Sequence, residues 1–118
     1  MRKSNPKGVP SRRTLRVGKA RLETLIAEAT VDAYNESEQT VGFYTMIEEN
    51  LRLPFETEIL GVMVTAERVD LTQDCEIIAI CNRGSKRQRI SLLELPLSSP
   101  PPKGAEWIAA YRYWRRGA

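Results

Sequence analysis

Residues 32–55 read DAYNESEQTVGFYTMIEENLRLPF, and the change of pattern inside this stretch decides the fold. Val41, Tyr44, Ile47 and Leu51 recur at three- and four-residue spacings, the period of one helix face. Asn35-Glu36-Ser37, ahead of them, are residues favoured in turns and caps, so a helix starts there. Gly42 weakens that helix locally. Pro54 stops it, because the residue before a proline is pushed out of the helical region. Upstream, from Lys19, the residues Leu22, Leu25, Ile26, Ala29 and Ala33 lay a second apolar stripe. Two amphipathic helices turning near residue 36 make a helical hairpin.

Beyond Phe55 the period becomes extended. Residues 58–64 and 75–81 are apolar on both parities, as in strands covered on both faces. Asn82 to Lys86, containing Arg83-Gly84-Ser85, reads as a hairpin loop into a third strand where Ile90 and Leu92 alternate with Arg89 and Ser91. Short pieces around Val69 and Leu95 complete a small barrel. Pro100-Pro101-Pro102 has no backbone donors and ends the sheet as a stiff connector. Trp107, Ile108, Tyr111 and Trp114 then share one helical face that docks on the core, with Arg112, Arg115 and Arg116 toward the other side or near the carboxyl end. The expected architecture is α+β: an N-terminal helical hairpin, a small antiparallel β-barrel, SH3-like or partly open, and a short C-terminal helix.

At 118 residues and 13.4 kDa the chain has material for one core. Residues 1–18 are rich in Arg, Lys, Pro and Gly and poor in apolar side chains, which predicts a disordered basic arm ahead of a single domain over 19–118. No run approaches the roughly 18 apolar residues of a membrane span, and no apolar signal core follows Met1, so a cytoplasmic setting is expected. Cys75 and Cys81 fall in one predicted strand, about 20 Å apart, too far to bridge, and read as a reduced buried pair.

Charge is segregated along the chain. Residues 1–21 carry eight basic groups and no acid; residues 22–76 hold thirteen acids against Arg52 and Arg68; residues 77–118 return to eight basic groups against two acids. Catalysis has little to work with here. There is no histidine to activate a nucleophile, and no Gly-rich phosphate loop. The acidic middle points instead to binding. Asp32 and Glu36 are four apart and share a face if the first helix reaches that far, with Glu38 just beyond; Glu48 and Glu49 form a second cluster. Glu38 and Glu48 are ten residues apart, about 15 Å along a helix, so one ion cannot bridge the two clusters. An EF-hand fails on inspection: counting from Asp32, Ser37 stands where glycine is required and Phe43 where the bidentate glutamate belongs. Asp70, Thr72, Asp74 and Glu76 alternate like EF-hand ligands, but Cys75 and Cys81 replace the glycine and the closing glutamate. The same residues allow a solvated acidic face. A rival reading takes the basic arm with Arg83, Lys86, Arg87 and Arg89 as a surface for nucleic acid or an acidic partner.

Asp-Ala-Tyr followed by acidic residues, Gly42-Phe43-Tyr44, an acidic pair and Leu51-x-x-Pro54-Phe55 together resemble the small bacterial calcium-binding family first known from cyanobacteria. The likeness runs from about residue 22 to Tyr113-Trp114. It implies an α+β domain without enzymatic activity, holding calcium on carboxylates without an EF-hand. Carried over, the implied metal ligands are Asp32, Glu36 and Glu38, with Glu48 and Glu49 as the second cluster. The resemblance thus gives calcium as the ligand and leaves room for a protein partner; a monomer with no membrane association is expected. Family members are acidic overall, whereas this chain has a pI near 9.1. Ala110 stands where an acid is expected, and Asn35 where an aspartate would strengthen the site. Fewer negative ligands imply weaker binding, on the order of 10⁻⁵ to 10⁻³ M.

Overall fold

The computed structural model describes residues 16–116, and the expected basic arm lies almost wholly outside them. Helix α1 spans Lys19–Ala29 and helix α2 spans Glu36–Asn50. The first helix is shorter than its apolar stripe. Thr30 closes it with its N–H and its hydroxyl both on the Ile26 carbonyl, at 3.0 and 2.7 Å, and Asp32 then turns left-handed at φ +61°. Ala33 therefore sits in the connection and not on the helix face.

α2 starts where a reciprocal cap forms. Asn35 Oδ1 accepts from the Glu38 N–H at 2.8 Å while Glu38 Oε1 accepts from the Tyr34 N–H at 2.6 Å. It ends at Asn50, with Leu51 already extended and Pro54 following across a cis peptide bond. Gly42 has a packing role beyond its low helix propensity. A Cβ there would collide with the Ala29 carbonyl, so the two helices approach through the missing side chain.

Four antiparallel strands follow as an open meander: β1 (Phe55–Ile59), β2 (Val62–Leu71), β3 (Ile77–Arg83) and β4 (Lys86–Ser91). The sheet has two free edges and takes the open form of the expected alternatives. Residues 58–64 are not one strand. Leu60 and Gly61, at φ +50° and +79°, form a two-residue hairpin turn, and Ile59 pairs with Val62 across it. Cys75, at φ +64°, lies in the β2–β3 turn, so the two cysteines do not share a strand; both are free, Cys81 buried and Cys75 half-buried. The β3–β4 hairpin falls where the sequence places it, with Arg83 opposite Lys86. Val69 belongs to β2, and Leu95 is buried outside any strand.

Val64, Ala66, Ile77, Ala79 and Cys81 join the helices in the core, and a bulge between Ala66 and Arg68 switches parity so that Val69 also points inward. Ile78 and Ile80 are buried apart from that cluster. Ile80 is flanked in register by Arg68 and Arg89, whose aliphatic stems can cover an apolar neighbour while the charge stays in water.

Helix α3 (Glu106–Arg115) buries Trp107, Ile108, Ala110 and Tyr111. Phe43 meets the Tyr111 ring at 5.7 Å and the Trp114 ring at 4.9 Å, an aromatic knot between α2 and α3. Arg112, expected toward the side away from the aromatic face or near the carboxyl end, is half-buried. It donates to the carbonyls of Leu92 at 2.8 Å and Leu95 at 2.5 Å, pinning the segment after β4, and burial followed by the nearby Arg116 lowers its pKa.

Candidate metal centre

The predicted acids sit at two places on the helical layer. Asp32 lies in the left-handed turn, Glu36 is the first residue of α2 and Glu38 the third, and all three are exposed. Asp32 and Glu36 are on different elements, because α1 stops at Ala29. The amino end of α2 favours negative charge through its dipole, which offsets part of the repulsion between Glu36 and Glu38. Glu48 and Glu49 are exposed near the other end of the same helix. Glu48 Oε2 accepts from the Tyr44 hydroxyl at 3.2 Å, and burial, then this bond, raises the tyrosine pKa.

None of these five carboxylates forms an ion pair among the described residues. Among the described residues the ion pair formed is Arg21–Glu106 at 3.1 Å, remote in sequence from all five carboxylates. Nor do the acids converge: among the described residues no group of three or more Asp, Glu, Cys or His side chains is gathered to hold a metal ion. The exposed acids of the turn present hard oxygens of the kind calcium takes, and among the described residues they form no preassembled carboxylate cage.

Two positions at the turn have other work. Asn35 is committed as the helix cap, and Glu38 carries a cap bond on one oxygen, leaving the other outside that bond. The Asn-x-x-Glu spacing announces that pair, a signal the sequence reading passes over. Ala110 is fully buried in α3, so an acid there would be a buried charge in this packing. Three of the four alternating oxygen side chains around the β2–β3 turn are engaged internally. Asp70 accepts from the Leu71 N–H at 2.9 Å, Thr72 Oγ1 from the Glu76 N–H at 3.1 Å, and Glu76 from the Ser91 hydroxyl at 2.8 Å.

Fold and site together define a small α+β protein whose helices present an exposed acidic turn, without an ion pair among the described residues, beside an open antiparallel sheet. A family profile described as calcium binding, of the CcbP type, matches residues 23–115, and the chain belongs to that family. Calcium is therefore the ion indicated for it. The crystal structure of CcbP from Anabaena superposes with a TM-score of 0.67 at 18% identity, over 86% of this chain and 93% of that one. At that identity the likeness establishes the fold. No curated protein sequence matches the chain. No helix among the described residues is long and apolar enough to cross a membrane.

Proposed function

We propose that this chain binds calcium at the α1–α2 turn through Asp32, Glu36 and Glu38, acting as a low-affinity buffer and not as an enzyme. The family match over residues 23–115 carries this reading. The turn supports it physically. Exposed like charges repel, no basic side chain among the described residues is paired with them, and a divalent cation relieves that repulsion. The connection over residues 30–35 is shorter than the twelve-residue EF-hand loop, so the site is of another design. Calcium accepts backbone carbonyls and water among its roughly six to eight ligands, so three carboxylates need only part of the shell. Glu48 and Glu49 form a separate, weaker place. Dissociation constants on the order of 10⁻⁵ to 10⁻³ M follow from so few charges on an unassembled site. Such a site fills when calcium rises and empties as readily. The two free thiols suit a reducing, cytoplasmic setting.

Thermal unfolding tests the proposal, with excess calcium, magnesium or chelator at constant ionic strength. Calcium at about a hundred times its dissociation constant adds about 2.7 kcal/mol, several degrees in melting temperature for a domain of this size. Equal shifts with calcium and magnesium, or none with either, would remove the calcium site.

A further inference from the structure

The two ends of the sheet present opposite charges around exposed apolar side chains. At one end the β1–β2 and β3–β4 hairpins flank an open groove of about 510 Å³ with Ile59, Leu60 and Val62 on its wall and Arg83, Lys86 and Arg87 on its rim. Leu60 is 97% exposed at φ +50°, a backbone conformation that favours glycine or asparagine, so the tip displays an apolar side chain at a strained position. None of the three rim cations forms an ion pair among the described residues.

At the other end Val31 and Tyr34, 69% and 85% exposed, stand among Asp32, Glu36 and Glu38. The Ser37 carbonyl, 3.7 Å from Cys75 Sγ, fixes this acidic turn beside the β2–β3 turn. The full length of β3 separates it from the groove. One molecule therefore carries an acidic apolar projection and a basic apolar recess at opposite ends.

We propose that these are the two halves of a self-interface: the α1–α2 turn of one copy docks in the basic-rimmed groove of a second. Val31 and Tyr34 cover the apolar wall and Leu60, while Asp32 and Glu36 meet Arg83 and Lys86, which share the groove's face of the sheet. Because the halves lie at opposite ends, two copies side by side and antiparallel form the contact twice and close with two-fold symmetry, leaving no free projection to propagate. This pair is the alternative to the monomer expected from the sequence.

The test is sedimentation velocity of the full chain from micromolar to millimolar concentration, in chelator so that the result does not depend on the calcium reading. A monomer–dimer equilibrium that added salt weakens severalfold is expected. Leu60→Asp, Glu36→Lys and Arg83→Glu, all at exposed positions, should each weaken association tenfold or more; Leu60→Asp and Arg83→Glu should leave the melting temperature nearly unchanged, and Glu36→Lys should lower it by a few degrees through the α2 dipole. Mixing the Glu36→Lys and Arg83→Glu chains should restore a dimer, because one mixed contact is then charge-reversed and the other is native. A monomer at every concentration, a dimer indifferent to these variants, or a ladder of larger species would each overturn the closed pair.

Discussion

The middle of α2 and its first turn belong to one helix and are built on opposite terms. In the middle, Gly42 lets the Ala29 carbonyl in, and Phe43 is fully buried against Tyr111 and Trp114. In the first turn Glu36 and Glu38 are exposed, and Asn35 Oδ1 and one oxygen of Glu38 accept from the backbone. The motif that marks the family thus divides. Its Gly-aromatic-Tyr half specifies how three helices pack, and its acidic half stays exposed at the helix start. Substitutions in the two halves should separate stability from metal response.

The largest effect belongs to Phe43→Ala, which removes the hub of the aromatic knot; a loss of about 3–5 kcal/mol in urea unfolding is expected. A loss below about 1 kcal/mol would mean α3 docks without it. Next comes Gly42→Ala, ordinarily stabilising in a helix by about 1 kcal/mol. Here the added methyl meets the backbone of α1 rather than a side chain that can swing aside, so a net cost of about 1–3 kcal/mol is expected. A stabilised variant would show that the helices separate without penalty. Asn35→Ala deletes the cap and should cost about 1 kcal/mol.

That ordering also tracks what could be read in advance. The helical period, the stop near Pro54 and the aromatic last helix were legible because burial imposes them on side-chain spacing. The β1–β2 turn was not. Leu60 occupies a position usually held by Asn or Gly, and its apolar character fuses two strands into one run around Gly61. Cys75 hides the β2–β3 turn in the same way. Among the site residues, the acids of the turn were visible as types, but their relative placement depends on where α1 ends. The Thr30 hydroxyl bond and the left-handed Asp32 decide that, and neither leaves a periodic trace.

The smallest expected change in stability carries the most information about the site. Asp32→Asn with Glu36→Gln keeps shape and hydrogen-bonding capacity while removing two charges, and asparagine accepts the left-handed backbone at position 32. Losing Glu36 forfeits a favourable interaction with the α2 dipole of about 0.3–1 kcal/mol, while losing the pair relieves repulsion of similar size. Metal-free stability should therefore move by no more than about 0.5 kcal/mol, and the calcium-dependent rise in melting temperature should vanish. Glu48→Gln with Glu49→Gln, at the far end of the helix, should leave most of that rise in place. If the first variant keeps the rise and the second loses it, calcium is held at the carboxyl end of α2. The division of labour along the helix would then run in the opposite direction.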